Sequence, residues 1–447
     1  MLEFINNDNI FMKGKRTIGL FGAIGYDDIG DDAILLANID ALRNKNYKLI
    51  IFSRNQKKTN ILLEKEGFIN NDHNFNQIQV VESLDVYLSR KSNIFRYIDF
   101  IIDEIFDKLF RVRLGLFNSF YFLTLSYRLK NIYRNRKNKK EKFLFADFIS
   151  NIENCSVIFF IGGGYFNKHL GHKINQFLLA LDIANYLSKP IIASGQTFGP
   201  LNIIQKKLFK KRIKWFKYFG VRDIKKSSNN LLELGFPIKN IIEGSDDAIF
   251  LDKRLVRYID DSNFQVIVNL GGFIKYSKNL SYFYQSLGKF LDELIKTKNA
   301  KVFYILMHST GSSDYLRGKK IQKYMEFYKQ MIFMPVLSAK EIKYIISKSN
   351  FVISNRLHPI VFAISEKVPF IGISAGGEYY NLKLKGVSEC YGYVPEKYII
   401  DINKVTPKKL IKMFGFCINH FFPDENIYRK NKRKRIYFLN ILYGLTK

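Results

Sequence analysis

"RTIGLFGAIGYDDIGDDAILLANIDALRNKNYKLIIFSRN", residues 16–55, decides the fold. A short apolar run over 16–22 gives way to a Gly-rich loop, and an apolar stretch with helical spacing follows over about 30–45. "YKLIIFS" is then an unbroken apolar run, as expected of a parallel strand covered on both faces. Strand, loop, helix and strand make a βαβ unit. The pattern repeats in "SVIFFIGGG", an apolar helix over 173–188, "KPIIASGQ", a helix over 201–216 and "YFGVRD". Such alternation predicts a doubly wound α/β domain. A second alternation opens near residue 264. There "FQVIVNLGG" reads as a strand, "LSYFYQSLGKFLDELIKT" as a helix, and "KVFYILMHS", "FMPVL" and "NFVISN" as further strands. The halves meet around 251–263, which divides the chain into 1–253, 254–420 and a basic tail over 421–447. A ligand cleft between the halves is the default expectation.

Size and composition agree with two domains. The chain has 447 residues, 47% hydrophobic and 15% aromatic, enough for large cores and unlike a disordered chain. Its net charge of +31 favours anionic partners, although an Asn-, Lys-, Ile- and Phe-rich composition discounts the lysine excess as a signal. No recognisable nucleic-acid module accompanies the charge, so nucleic acid is not expected as a partner. Cys155, Cys390 and Cys417 are scattered, without a CxxC pair or a histidine at zinc spacing. Neither a disulfide framework nor a bound metal is expected, and reduced cytosol is the natural setting. The N-terminus lacks the order of a signal peptide, and no run reaches the ~20 apolar residues of a spanning helix.

One region fits neither half. Residues 86–150 are helical in pattern, rich in Phe, Leu, Tyr and Arg, and close on a basic run. Two readings stay open: an insertion packed on its own domain, or an interfacial segment on an anionic membrane surface. The tail, "YRKNKRKRIYFLNILYGLTK", is also basic and then apolar, and carries the same two readings.

Candidate site residues sit at strand ends, where open α/β sheets bind ligands. "GAIGYDDIGDDA" (22–33) follows a strand and opens a helix whose free N–H groups favour an anion. It is out of register with GxGxxG, which disfavours a dinucleotide. Asp31 lies at this turn, with helix capping as its plainer reading. "IGGGYFNKHLG" (161–171) brings Gly163 and Gly164, whose backbone could approach a ligand, or simply turn. "ASGQTFGP" (193–200) adds Gln196, and "GVRD" (220–223) adds Arg222. "MHSTGSSDY" (307–315) brings His308 and Asp314. "SNRLHPIVFAIS" (354–365) sets Arg356 and His358 where a strand stops and an apolar helix begins. Arg356 is a fixed cation suited to a bidentate grip on phosphate or carboxylate, and His358 can exchange a proton near neutral pH. An Arg–Asp pair and a core histidine are the alternative. "KVPFIGISAGGEYYNLKLKG" (367–386) supplies Lys383 and Lys385 for a second anionic group.

Taken in order, the loop ending GDDA, IGGG, GQTFGP, VRD, SDDA (245–248), RLH and "VPFIGIS…YYNLK" resemble the polysaccharide pyruvyl transferase family over about 17–386. The resemblance implies two Rossmann-like domains in a GT-B-like arrangement with a cleft between them. It implies transfer of the enolpyruvyl unit of phosphoenolpyruvate onto two hydroxyls of a surface glycan, giving a pyruvyl ketal and phosphate. By motif, His358 corresponds to the general acid, Arg356 and Arg222 to donor-binding arginines, and Lys383 to the lysine of a Y-x-x-K motif. The extra residues "AGGEY" leave Lys385 as a competitor. The implied partners are phosphoenolpyruvate as donor, with no cofactor, and a glycan or lipid-linked saccharide as acceptor. The implied location is cytoplasmic, with the inner face of the cell membrane as a peripheral site. The rival reading is a GT-B glycosyltransferase using a nucleotide sugar, and a third is a non-enzymatic surface-binding protein.

Overall fold

The computed structural model describes residues 16–43, 47–69, 77–84, 146–223, 225–256, 263–271 and 277–446. They form two sheets. The first runs β3 (Ile78–Glu82), β2 (Lys48–Ser53), β1 (Thr17–Phe21), β4 (Val157–Phe160), β6 (Ile191–Phe198), β7 (Phe216–Val221) and β8 (Ile241–Glu243), with β5 (Gly163–Phe166) paired to β6. The second runs β11 (Met331–Phe333), β10 (Lys301–Tyr304), β9 (Gln265–Asn269), β12 (Phe351–Ser354), β13 (Phe370–Ser374) and β14 (Ile399–Asp401). The pairings within each sheet are parallel.

The unbroken apolar strands bury both faces. Ile18, Leu20, Leu49, Ile51, Val157 and Phe159 enter one core; Phe21, Ile50, Phe52, Ile158 and Phe160 enter the other. That is the two-residue alternation of a strand with helices on either side. The second core is rich in phenylalanine, with Phe21 stacked on Phe52 at 4.0 Å.

Each sheet reverses its winding beside its first strand, between β1 and β4 and between β9 and β12. Loops diverge at such points and leave a crevice. The two crevices face each other. Asp28 and His308 form an antiparallel bridge across them, Ile29 N–H donates to the Met307 carbonyl at 3.1 Å, and Ser309 N–H donates to that of Asp27 at 2.9 Å.

The closing helix, Glu425–Leu445, takes the packed reading of the tail. Arg435 Nη1 lies 3.0 Å from Asp247 Oδ1, and Nη2 donates to Asn38 Oδ1 at 2.7 Å. Phe438 packs on Phe159 at 5.5 Å. The chain thus returns from the second half to bolt onto the first.

Several elements differ from expectation. "FMPVL" is a strand only to Phe333, and Pro335, which lacks an N–H, lies past its end. The glycines of IGGG do not form a plain loop, since Gly163–Phe166 pairs with β6. β6 itself runs on to Phe198. The helix expected over 201–216 spans Ile203–Arg212, fixed by a capping box between Asn202 and Gln205 and followed by a tighter turn over Ile213–Trp215. The 86–150 insertion lies outside the described residues except at its end, where helix Ala146–Glu153 begins. Among the described residues no helix is long and apolar enough to cross a membrane.

Candidate active site

A cavity of about 570 Å³ opens between the halves. Asp28 and Asp31 line it from the turn after β1, Gly164 from β5, His308 from the loop after β10, Arg356 and His358 from the turn after β12, and Lys383 from helix Glu378–Cys390. Helix Ile29–Arg43 begins at Asp28, whose Oδ1 accepts from Gly30 N–H at 2.9 Å. Asp28, not Asp31, is therefore the capping residue. Helix Leu357–Ser365 begins at Arg356, which places His358 in its first turn.

Arg356 bridges the halves. Nη1 lies 2.8 Å from Asp28 Oδ2 and Nη2 lies 2.9 Å from Asp314 Oδ1. Asp314 is fully buried, and its other oxygen accepts from Met307 N–H at 2.9 Å. Both ends of the guanidinium fork are thus filled by carboxylates, while Nε is buried without a partner. Gly271 gives the guanidinium room, since a Cβ there would stand 2.4 Å from Nε.

His358 packs on Gly30, where a Cβ would come within 1.7 Å of Nδ1. Nε2 is buried without a hydrogen bond, 3.9 Å from Asp246 Oδ2. Burial pushes its pKa down to about 3, helped by Arg222, Lys383 and Arg356 and opposed by Asp28. Proton exchange near neutral pH therefore needs a further source of negative charge beside the ring, because burial alone holds the imidazole in its neutral form.

Lys383 is the complement of Arg356. It makes no hydrogen bond or ion pair among the described residues and lies 5.5 Å over the Tyr379 ring. Burial and the charge of Arg222 bring its pKa down to about 8, against the pull of Asp31, Asp28 and Asp246. Asp31 is pushed well above the usual carboxylate range by burial and by Asp28. Burial pushes Asp32 up to about 7, with Asp28 and Asp27 adding to it. Burial would raise Asp28 too, but Arg356, His358 and Lys383 outweigh it and hold it below its ordinary value.

Of the remaining expected residues, Arg222, Gln196 and Gly163 lie behind this wall. Arg222 is 1% exposed, ion-paired to Asp246 through Nη1, and donates from Nε to Thr197 Oγ1 at 2.9 Å. Its Nη2 faces Gly164 from behind. Gln196 was expected beside the cleft. It is instead buried within β6, donating to the Ile161 carbonyl at 2.6 Å and to Tyr165 Oη at 2.8 Å, because the strand continues past it. Gly163 is likewise in the sheet, with the Tyr165 ring where a Cβ would go, and only Gly164 reaches the cavity. Lys385 points away and pairs with Glu396 at 3.1 Å, which separates it from Lys383. His308 is at the mouth, bonded to Thr310 Oγ1 at 2.9 Å.

Asp28 and Asp246 carry roles that the motifs did not announce. Asp28 sits inside a quoted Gly-rich loop and Asp246 inside SDDA, but only the tertiary fold brings Arg356 to one and Arg222 to the other. Among the described residues no group of three or more His, Cys, Asp or Glu is placed to hold a metal ion.

The family model for polysaccharide pyruvyl transferase matches residues 28–377. Among curated proteins there is no sequence match. Among solved structures, the fold is similar to UDP-GlcNAc 2-epimerase from Neisseria meningitidis bound to UDP-GlcNAc, with TM-score 0.55, 13% identity, and coverage of 96% of this chain and 100% of that one. The UDP-GlcNAc 2-epimerase from Methanocaldococcus jannaschii gives TM-score 0.55, 14% identity and the same coverage. The S. aureus MnaA–UDP structure gives 0.53, 12%, and coverage of 94% and 90%. At such identities the likeness shows the fold alone, two Rossmann-like halves in a GT-B arrangement.

Proposed function

The chain belongs to the polysaccharide pyruvyl transferase family and is an enzyme of that type; from that premise we propose that it moves the enolpyruvyl unit of phosphoenolpyruvate onto two hydroxyls of a surface glycan. The observation that carries the reading is a pair facing one cavity: Lys383, which among the described residues has a ring beneath it but no hydrogen bond or carboxylate partner, and His358, whose Nε2 has no hydrogen bond among them.

The donor brings a phosphate and a carboxylate. Lys383 takes one of these anionic groups directly, with Arg356 and Arg222 adding positive potential from their ion pairs. The incoming negative charge raises the proton affinity of His358, so the imidazolium forms with the donor in place. His358 gives its proton to C3 of the donor, and C2 becomes electrophilic. One acceptor hydroxyl adds to C2 and loses its proton, phosphate leaves with the C2–O bond pair, and a second hydroxyl closes the ketal and loses its proton. One of the two released protons returns to His358 and the other departs with phosphate, while C3 keeps its new proton in the methyl group of the ketal. Asp31, Gly164 and His308 are the proposed further substrate contacts. The reaction as written uses no cofactor and no metal.

The acceptor is proposed as a glycan or lipid-linked saccharide of cell-surface polysaccharide synthesis, met in the cytoplasm at the inner face of the membrane. What supports a peripheral contact is the outer face of the closing helix, where Arg429, Lys430, Lys432 and Arg433 are exposed beside Ile436 and Tyr437.

The rival, a glycosyltransferase, draws on the nucleotide-sugar ligands of the structural neighbours. Incubation with phosphoenolpyruvate and a glycan panel, read by released phosphate and by the mass of a pyruvyl ketal, tests the proposal. Turnover of a nucleotide sugar with no requirement for phosphoenolpyruvate would overturn it.

A further inference from the structure

The cavity has two chemistries. Its inner end carries Asp28, Asp31, Arg356, His358 and Lys383. Its outer end is aromatic, with His169 against Tyr379 at 5.3 Å, His169 against Tyr380 at 6.2 Å, and the two tyrosines 5.2 Å apart. A donor as small and as charged as phosphoenolpyruvate has no use for such a wall and leaves much of the cavity empty.

Tyr379 is buried and fixed by donating to the Gly164 carbonyl at 2.8 Å. His169 is exposed and Tyr380 only partly covered, yet both line the cavity. The rings are inclined to one another, His169 by 41° to Tyr379 and 40° to Tyr380, and the tyrosines by 72°. Such separate apolar faces around a wet mouth suit a ligand with one apolar face and many hydroxyls. A pyranose ring presents its C–H groups on such a face and its hydroxyls at the rim.

The spacing fits the reaction. Tyr379 and Tyr380 stand four and three residues before Lys383 on one helix, so each is a neighbour of Lys383 on its surface, with roughly 5–6 Å between Cβ atoms. A ring stacked on the tyrosines would hold its hydroxyls beside the anionic group at Lys383, one helical turn away.

We infer that His169 and Tyr380, backed by Tyr379, form the stacking platform for the pyranose ring of the acceptor. The inference rests on the pyruvyl-transfer reading for the identity of the acceptor, but not for the existence of the platform. Saturation-transfer NMR on the full chain, with phosphoenolpyruvate present, tests it. The probes are the methyl α-pyranosides of galactose, mannose and glucose, together with uridine. At least one pyranoside takes saturation on its ring C–H protons from the native protein and from Tyr380→Phe, which keeps the ring. The signal falls roughly three- to tenfold in Tyr380→Ala and in His169→Ala, the range expected for losing one stacking face. The phosphoenolpyruvate signal stays level in all three variants, which reports an intact fold and inner end. The platform is overturned if no pyranoside signal depends on Tyr380, or if uridine is the ligand that does. Absence of a phosphoenolpyruvate signal from the native protein sinks the donor reading instead, and the pyranoside arm still decides the platform.

Discussion

Two basic regions of this chain use their charges in opposite ways. In the cleft, arginines are matched to acids: Arg356 to Asp28 and Asp314, Arg222 to Asp246, and Arg435 of the closing helix to Asp247 behind it. On the outer face of that same helix, Arg429, Lys430, Lys432 and Arg433 are exposed and pair with no carboxylate among the described residues. The net charge of +31 therefore says little about the cleft. On the proposed reading, anion selectivity there rests on Lys383, which has no carboxylate partner among the described residues and sits in a setting that burial makes responsive. The surplus on the outer helix is solvated, and can act only through a broad field on an extended partner.

The largest effect follows from removing the proton. His358→Ala should lower turnover by ~10²–10⁴-fold, with donor affinity and melting temperature largely kept. His358→Gln should do no better, since an amide does not hand over a proton readily. Near-native turnover in a folded His358→Ala protein would remove His358 from the chemistry. Gly30→Ala sharpens the test while keeping His358 itself, because its Cβ would occupy the place of Nδ1 and drive the ring out. A comparable loss is expected there.

Next comes the unpaired cation. Lys383→Ala should cut kcat/KM for phosphoenolpyruvate by roughly 10–100-fold, the scale of one charge-assisted hydrogen bond. The pH dependence carries a sign. Lys383 is protonated below about 8 and loses its charge above it. The contribution of Lys383 to kcat/KM for the donor should thus be level below about 8 and fall as pH rises through it, on top of the slope set by proton uptake at His358. Lys383→Arg stays charged, so that alkaline limb should move up or vanish. An unchanged limb in Lys383→Arg would assign the titration elsewhere and weaken the contrast between paired and unpaired cations.

Arg356→Lys should act in smaller measure on kinetics and visibly on stability. Lysine keeps the charge but cannot span Asp28 and Asp314 with one fork. A buried carboxylate left without its partner costs about 3–5 kcal/mol at the high end. A lower melting temperature with a several-fold rise in donor KM is expected. If only KM changes, Arg356 grips the donor directly and the ion pairs open on binding.

The fold was legible because parallel strands buried on both faces leave unbroken apolar runs, as in "KLIIFS" and "VIFF". The strand-end loops were legible for the same reason, and Asp31, Gly164, His308, Arg356, His358 and Lys383 do meet in one cavity. Depth was not legible. Gln196 and Arg222 stand at apparent strand ends, but the run of β6 to Phe198 and the burial of Arg222 against Asp246 are settled by tertiary pairing. Nor could the sequence show that Arg356 is already saturated, because Asp28 is 328 residues away. His169 lies in the quoted IGGG stretch and Tyr380 is the tyrosine of the Y-x-x-K motif, but nothing in the sequence brings two rings 211 residues apart together.

The smallest effect on chemistry should come from the other basic region. Replacing Arg429, Lys430, Lys432 and Arg433 together by Gln should leave turnover on a soluble acceptor unchanged, because none of them lines the cavity. These residues are exposed, so the fold should hold, while Arg435 and Phe438 keep the helix docked. Each basic side chain near an anionic bilayer contributes about 1 kcal/mol, and Ile436 and Tyr437 add apolar contact one turn further on. Co-sedimentation with vesicles containing an anionic lipid at low salt should therefore retain the native protein and lose most of the four-residue variant. High salt should release the native protein as well, since screening shortens the reach of exposed charges. If the native protein ignores such vesicles, the outer helix is simply a solvated face. If native and variant bind alike, the contact is made by another part of the chain, and the contrast between the two basic regions has no membrane meaning.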